Sequence, residues 1–350
     1  MTPAPRVPAF VVILALVATA IASSVATTVG LTAQSAPPAT PALDTLPVHG
    51  QVSLITGAGG NVAVQVGPQG VLVVDTGLEA RADALIGAIR RLAGDRPIRY
   101  IVNTHAHADH TGGNLKVAAA GTQLVAGNFA AQVGDRAVQG AAPGAFIVAH
   151  ENVLNALSAP KGGGAPAPFG GWPTDTFFQD ERTMYFNGEG IQLVHEPSAH
   201  TDGDVLVFFR GSDVIAAGDT YVTDGFPGID VAAGGSIAGV VESLNRLIDL
   251  AISEQFTEGG TRILPGHGRV SDEFDVVEYR DMATIVRDRV RALRQKGSTL
   301  AQVLAARPAF EYEPRYGTNR AWTTEQFVGA VYASVNQPAG TVSTTRGGNR

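Results

Sequence analysis

The sequence contains no cysteine among its 350 residues. This absence excludes disulfide bridges, thiolate catalysis and every metal site that uses cysteine ligands. Any metal site in this chain must therefore be built from histidine and carboxylate side chains. Such a ligand set suits zinc, manganese or non-haem iron.

Positive charge is also scarce and is never concentrated. The chain carries 25 Lys and Arg against 32 Asp and Glu, a formal net charge of −7, and it has no basic run. Binding to a phosphate backbone needs clustered cations, so we predict that nucleic acid is not a partner. Apolar residues make up 45% and charged residues 16% of the chain, which is typical of a folded globular protein.

No charged residue lies between Arg6 and Asp44. An apolar stretch, Ala9–Ala22, follows Arg6 and is followed by small residues, a pattern typical of an export signal. We predict a signal peptide over residues 1–33, an Ala/Pro/Ser/Thr-rich linker over residues 34–47, and a periplasmic or secreted protein. The apolar stretch is short for a membrane span, so we expect membrane association only if this segment is retained.

Hydrophobic periodicity predicts a mixed α/β domain over residues 48–290. Short β-branched segments punctuated by glycine predict strands at Val52–Thr56, Asn61–Val66, Gly70–Asp75, Arg99–Asn103, Ile191–His195, Asp204–Arg210, Val214–Ala217 and Arg262–Leu264. Helical spacing predicts helices at Ala80–Leu92, Ile237–Ile252 and Phe274–Gln295. Strands followed by a helix occur twice, which predicts a four-layer αββα sandwich with two sheets face to face and helices outside.

The end of the chain is predicted to be a helical extension over residues 291–338, followed by a disordered tail over residues 339–350. Capping boxes at Thr299–Gln302 and Thr323–Gln326 predict the starts of two helices in the extension. Residues 113–186 alternate helical stretches with a Gly/Pro tract and give no consistent pattern.

The densest cluster of metal-type ligands is the segment Thr104–His110, which directly follows a predicted strand. Side chains repeat every two residues along an extended segment, so His105 and His107 should face the same way. Asp109 and His110 follow as the chain turns. Four such ligands within six residues predict a metal site, and we disfavour the alternative of a solvated polar loop.

Three further residues lie beside glycine at predicted strand ends, namely His200, Asp219 and His267. Glycine lets the backbone bend tightly there, so that a neighbouring side chain can reach inward. Each residue is a weak signal by itself, but together with the histidine cluster they predict the rest of one site. Of the remaining histidines, His49 and His150 have no motif context. His195 lies on a predicted strand five residues before His200, and we expect it to serve packing or to line the mouth of the site.

This ordered set of residues resembles the metallo-β-lactamase-fold hydrolase superfamily. The resemblance rests on the pattern His-x-His-x-Asp-His at 105–110, then His200, Asp219 and the Gly-His-Gly around His267. Val73–Gly77 also resembles the early strand-end motif of that family. The resemblance covers roughly residues 48–290 and supports the predicted αββα sandwich.

The resemblance implies zinc as the cofactor, with two ions per chain, and iron or manganese as substitutes. The implied ligands of the first ion are His105, His107 and His200, and those of the second are Asp109, His110 and His267. Asp219 would bridge the two ions, as in the branch similar to glyoxalase II. Asp75 would orient one of the ligating histidines.

The implied reaction is cleavage of an ester, thioester, amide or lactam bond by a metal-bound hydroxide, with Asp109 and Asp219 as catalytic carboxylates. Two adjacent cations generate such a hydroxide near neutral pH and stabilise the anion that develops during attack. The positive charge of two zinc ions exceeds the negative charge of these two carboxylates and a hydroxide, so the pocket has a net positive charge. The pocket should therefore accept a small acyl or anionic substrate.

Two alternatives remain open. A β-lactamase fits the predicted export, but the best-known lactamase branch has Cys where Asp219 stands and Lys three residues later, where this chain has Val222. Persulfide dioxygenases of this fold bind one Fe(II) through the equivalents of His105, His200 and Asp219. The complete second ligand set favours two metals over one.

Overall fold

The structure is a computed structural model that describes residues 42–123, 144–161, 163–256, 259–319, 321–338 and 340. The predicted signal peptide, residues 34–41 of the predicted linker, and the predicted tail except residue 340 lie outside the described residues. None of the helices within the described ranges is long and apolar enough to cross a membrane.

The first sheet contains seven described strands whose spatial order follows the chain. They are β1 (Asp44–His49), β2 (Val52–Thr56), β3 (Val62–Gly67), β4 (Gly70–Val74), β5 (Ile98–Val102), β6 (Phe146–His150) and β7 (Asp175–Phe177). Strands β1 to β4 form an antiparallel meander, and β4 to β7 run parallel to one another. The change to parallel pairing requires crossover connections, and the helices supply part of them.

The second sheet contains five described strands, also ordered along the chain. They are β8 (Glu181–Phe186), β9 (Glu189–Glu196), β10 (Asp204–Phe209), β11 (Val214–Gly218) and β12 (Arg262–Pro265). Strands β8 to β11 are antiparallel, whereas β12 runs parallel to β11. Each sheet thus contains at least one pair of adjacent parallel strands.

The described α-helices are α1 (Ala82–Ala93), α2 (Ala108–Thr111), α3 (Asn114–Ala119), α4 (Glu151–Ser158), α5 (Ile237–Leu250), α6 (Glu273–Gln295), α7 (Leu300–Ala305), α8 (Glu313–Tyr316) and α9 (Thr324–Ser334). Short 3-10 turns occur at Glu79–Arg81, Phe169–Gly171 and Phe310–Tyr312. The two predicted capping boxes are confirmed, because the hydroxyls of Thr299 and Thr323 each accept from the third residue of their helix.

Side-chain alternation along the strands builds the layers. In β4, Leu72 and Val74 pack between the sheets, whereas Val71 and Val73 pack against α1. In β10, Val205 and Val207 likewise face the first sheet, and Leu206 faces the helices on the other side. Strands buried on both faces are apolar along their whole length, which explains these Val-rich segments. The predicted four-layer αββα sandwich is therefore confirmed.

Two predicted domain boundaries need correction, and the structure assigns elements to the region that had no consistent pattern. Residues 44–47, predicted as linker, belong to β1, which pairs with β2 despite its exposed side chains. The region 113–186, which gave no consistent pattern, contains β6, β7 and β8. The helices after residue 290 pack into the same apolar cluster as α5 and α6, so Val303, Phe327 and Val331 complete the core of the domain.

Two buried histidines stack on each other where the sheets meet. The rings of His150, at the end of β6, and His195, in β9, are 3.5 Å apart and within 8° of parallel. His150 Nδ1 accepts from the backbone N–H of Asn152 at 3.3 Å, and His195 Nε2 donates to the carbonyl of Asp202 at 2.9 Å. Burial, then repulsion from His195, lowers the pKa of His150 to about 4. Both rings are therefore neutral at neutral pH, as stacking requires.

We expect the metal-free protein to lose stability on acidification faster than a His150→Asn variant. Because the pKa of His150 falls from 6.5 to about 4 on folding, the unfolded chain takes up the proton first as the pH drops. The free energy of unfolding should therefore decline between pH 6.5 and 4, by up to about 1.4 kcal/mol per pH unit more than in the variant. The Asn side chain of the variant keeps a hydrogen-bond acceptor for the backbone N–H of Asn152 at the start of α4. Urea unfolding at pH 7 and pH 5 measures the difference, and equal pH dependence would contradict it.

Candidate metal centre

The predicted ligands lie at the carboxyl ends of two pairs of parallel strands. Asp75 follows β4 and the segment containing His105 follows β5, and these strands are adjacent and parallel in the first sheet. Asp219 follows β11 and His267 follows β12, which are adjacent and parallel in the second sheet. Carboxyl ends of parallel strands meet at one edge of a sheet. Because the sheets pack face to face, the two edges converge, and His200 joins them from the loop between β9 and β10.

One set of side chains forms a three-histidine group, made of His105, His107 and His200. Each offers one ring nitrogen, and these nitrogens all lie within 4.8 Å of one another. His107 Nδ1 and His200 Nε2 are 2.9 Å apart. The ring of His105 is set edge-on to both other rings, at centroid distances of 4.9 and 4.8 Å. The three rings thus surround a common point, as ligands of one cation do.

A second set forms the Asp109 group, made of Asp109, His110 and His267. Their ligand atoms also lie within 4.8 Å of one another. His267 Nε2 is 3.1 Å from Asp109 Oδ2 and 3.4 Å from His110 Nε2. His110 Nε2 is 3.7 Å from Asp109 Oδ2. This set reproduces the second group of ligands expected from the family resemblance.

Asp219 lies between the two groups. Its Oδ1 is 3.2 Å from His110 Nε2 and 3.6 Å from His267 Nε2, both in the Asp109 group. Its Oδ2 is 3.8 Å from Nε2 of His200, which belongs to the three-histidine group. One carboxylate oxygen therefore faces each group, which is the position expected of a bridging residue.

Asp75 accepts three hydrogen bonds at the base of the histidine segment. Its Oδ1 accepts from the backbone N–H of Thr104 at 2.8 Å, and its Oδ2 accepts from the Thr104 hydroxyl at 2.7 Å and from His110 Nδ1 at 2.7 Å. The Thr104 oxygen in turn lies 3.0 Å from His105 Nδ1 and accepts its proton. These bonds hold Nε2 of both imidazoles directed toward the cluster. Asp75 therefore lies where an orienting carboxylate was predicted.

Two orienting groups in the segment after β11 were not anticipated from the sequence. The backbone oxygen of Gly228 accepts from His200 Nδ1 at 3.0 Å. Asp230 Oδ2 accepts from His107 Nε2 at 3.1 Å, which leaves the other ring nitrogen, Nδ1, for the cluster. A carbonyl carries no sequence signal, and a lone aspartate in a loop has no periodicity. No feature of the sequence could have identified either group.

The donor set fits a bound cation. Among the described residues, His105 Nε2 and Asp219 Oδ1 are buried and make no hydrogen bond of acceptable geometry. A buried polar atom without a partner costs about 1–3 kcal/mol, and native proteins seldom tolerate one without a reason. Both atoms belong to the clusters described above, where a cation would satisfy them. Imidazole and carboxylate donors suit zinc, iron and manganese.

Protonation in the cluster is set by burial and by the opposed charges. Burial, followed by the nearby His110, lowers the pKa of His105 well below its usual value. Burial opposes ionisation of Asp219, but His110 and the other imidazoles lower the pKa of that carboxyl well below its usual range. Burial also opposes charge on His110, yet Asp219 and Asp75 raise the pKa of its ring well above the usual value. A cation must therefore displace a proton from His110 when it binds.

Close backbone approach explains two glycines near the centre. A Cβ atom at Gly266 would collide with Asp219 Oδ1, and one at Gly60 would collide with the ring of His110. Asn61, next to Gly60, donates its side-chain N–H to the carbonyls of Pro265 and Gly268 at 2.9 and 3.0 Å. The loop of the first sheet is thereby tied to the loop that contains His267.

The other histidines lie outside these groups. His49 Nδ1 bonds to the carbonyl of Ser212 at 2.7 Å, and His150 stacks on His195 between the sheets. None of the three shares a cluster with the predicted ligands. For His195 the stacking agrees with the expected packing role.

Comparison with known proteins assigns the family. A sequence profile described as the metallo-beta-lactamase superfamily matches residues 55–267. The chain belongs to the metallo-β-lactamase superfamily. The matched range runs from β2 to the last predicted ligand, His267, and so contains all seven ligand positions. Membership in this superfamily supports a metal-dependent hydrolase, and the clusters described above could hold the metal.

Solved structures share this fold at low sequence identity. The stereoselective inverting sec-alkylsulfatase Pisa1 from Pseudomonas sp. aligns with a TM-score of 0.58 and 14% identity over 88% of this chain and 52% of the sulfatase. The DIM-1 metallo-β-lactamase aligns with a TM-score of 0.49 and 19% identity over 70% of this chain and 98% of the lactamase. The chain spans about half the length of the sulfatase. No curated protein sequence matches the chain significantly.

We expect Asp230→Asn to weaken one of two metal-binding steps by about 10–100-fold, the usual scale for losing a partner of a metal-ligating histidine. The amide is a weaker acceptor for His107 Nε2–H, so the ring is held less firmly. Competition with a chromophoric chelator measures the affinities. The control is Asp224→Asn, an exposed aspartate in the same loop, which should leave both steps unchanged. Equal affinities in parent and Asp230→Asn would show that His107 is held by other contacts.

Proposed function

We propose that this chain is an exported hydrolase that uses two zinc ions to cleave an ester, thioester, amide or lactam bond. The observation that carries the proposal is the position of Asp219, which presents one carboxylate oxygen to each of two complete ligand groups. Export rests on the apolar stretch that follows Arg6, and N-terminal sequencing of the mature protein from cell-envelope fractions would test it.

The residues of the candidate centre would have different roles. Zinc ions in the two groups would supply a water nucleophile near neutral pH and a Lewis acid for the scissile carbonyl. Asp219 would hold the two groups at a fixed separation, because its carboxylate touches histidines of both. Asp109 is only partly buried, with a side chain 34% exposed, so its carboxylate would lie beside an incoming substrate and would be available as a proton acceptor. Burial lowers the pKa values of His105 and His107, so these rings carry no competing proton on the nitrogens that face the centre, whereas His110 must lose one.

A cavity of about 440 Å³ beside His107 supports a small-molecule substrate with an apolar part. Small side chains of α4 and neighbouring loops form much of its wall, and they include Ala106, Val153, Ala156, Ala159, Ala232 and Ala233. Polar side chains line the rest of the boundary, among them Asn152, Asn155 and Thr201. Lys161, at the mouth, is already paired with Asp202 at 3.0 Å. This lining favours an acyl or alkyl group in the cavity, with the reacting bond at the metals.

The β-lactamase alternative lacks a partner for the antibiotic carboxylate at the expected place. Val222 is 7% exposed and belongs to the apolar cluster of the helices, so no cation is available there. The dioxygenase alternative needs only His105, His200 and Asp219, and leaves the Asp109 group without a purpose. A general two-metal hydrolase accounts for all seven side chains.

We expect the purified chain to bind about two zinc ions, and Asp219→Asn to lower its turnover by more than about tenfold at saturating zinc. An amide oxygen is a poor bridge, so the second ion should bind weakly and the nucleophile should be badly placed. The assay is metal analysis with a panel of nitrocefin, thioesters, lactones and alkyl sulfates. Plateau rates equal to those of the parent would contradict the bridging role. A single iron with oxygen-dependent turnover would instead support the dioxygenase.

We expect Ala156→Leu to reduce kcat/KM for long-chain acyl substrates by at least about tenfold while sparing short-chain ones. The larger side chain fills the cavity without touching the predicted ligands. Ala301→Leu on the exposed face of α7 is the matched control and should change neither value. If Ala156→Leu affected acetyl and decanoyl thioesters equally, the cavity would not be the site that holds the acyl chain.

A further inference from the structure

The segment Gly225–Asp230, called the support loop here, carries the orienting contacts of two predicted ligands. The Gly228 carbonyl fixes His200, and the Asp230 carboxylate fixes His107. Both histidines belong to the three-histidine group, and none of the residues in the support loop is itself a predicted ligand. The geometry of that group therefore depends on where the support loop lies.

The C-terminal helical extension holds the support loop from the other side. The ring of Phe226 is stacked on Phe327 of α9, with centroids 4.7 Å apart and planes within 10°. Trp322, just before α9, donates its indole N–H to the carbonyl of Pro227 at 3.0 Å. Tyr279 of α6 donates its hydroxyl to the carbonyl of Gly225 at 3.1 Å. Three consecutive residues of the loop are thus fixed by helices that lie beyond His267.

These contacts fix the direction of the Gly228 carbonyl. The ring of Pro227 restricts the φ angle of that residue. The Trp322 indole N–H holds the Pro227 carbonyl, which belongs to the peptide bond that joins Pro227 to Gly228. Phe226 is 1% exposed and cannot shift without disturbing the aromatic cluster. Gly228 would otherwise have wide conformational freedom, because it has no side chain. The contact with Trp322 removes part of that freedom on the N-terminal side of Gly228.

We propose that Trp322 is a positioning residue for the metal centre, acting through the support loop on His200 and His107. The inference rests on the proposed two-metal function. It assigns the C-terminal extension a role in metal binding, in addition to its packing on α5 and α6. Loss of the indole N–H frees the support loop and lets the two imidazoles turn away from the geometry that a cation needs. The Asp109 group has no contact with the loop and keeps its affinity.

The test is Trp322→Phe, which keeps one aromatic ring but removes the N–H donor together with the second fused ring. Zinc affinity is measured in the full chain by chelator competition that resolves two binding steps. One step should weaken by about tenfold or more, on the scale for lost orienting partners, while the other stays unchanged. Thermal unfolding of the metal-free variant is measured alongside, and a purely structural role would lower the unfolding temperature while leaving both zinc affinities unchanged.

The matched control is Tyr332→Phe, which removes a hydrogen bond from the same extension to the carbonyl of Ser298 at 3.2 Å, away from the support loop. It should leave both zinc affinities unchanged. If Trp322→Phe does not fold, Tyr279→Phe tests the second hydrogen bond to the support loop in the same assay. If Trp322→Phe, or Tyr279→Phe in its place, binds zinc with both affinities unchanged, the inference is overturned. A parent chain that binds no zinc would instead overturn the proposed function itself.

Discussion

The buried carboxylate of Asp75 is the interaction on which the candidate metal centre depends. It is 2% exposed and would be costly to bury if its oxygens were not satisfied. Two groups of Thr104 and one of His110 satisfy them, and the left-handed backbone of Asp75, at φ 64°, turns the chain so that they can. One side chain thereby joins β4 to the segment after β5 and sets the ring orientation of His110 directly and of His105 through Thr104.

The same arrangement, a pair of adjacent parallel strands, positions further predicted ligands in the second sheet. Adjacent parallel strands bring Asp219 and His267 together, just as β4 and β5 bring Asp75 next to the histidine segment. The apolar layer between the sheets then fixes the separation of the two edges, because close-packed side chains resist compression. The folded sandwich can thus hold a cluster of histidines and carboxylates in place before any cation binds. The stability of the fold offsets the free-energy cost of bringing these groups close together.

The superfamily match ends at His267, yet the orientation of the three-histidine group involves residues beyond it. Phe327 and Trp322 contact the support loop, and that loop contacts His200 and His107. The same helices complete the apolar core around α5 and α6. Packing and ligand orientation are therefore properties of one cluster, so that changes far from the ligands in sequence can alter the centre.

The sequence by itself determined which histidines and carboxylates could serve as ligands, their order and the layered fold. Clustered histidines have few other uses, and apolar alternation along strands such as β4 is a local pattern. It also determined both capping boxes, which lie within single helical turns. It could not determine β1, whose exposed residues give no apolar pattern, or the roles of Asp230, Gly228 and Trp322. Only the tertiary structure decided these, because strand pairing at a sheet edge and hydrogen bonds between distant loops depend on how the chain folds back on itself, and no local spacing encodes that.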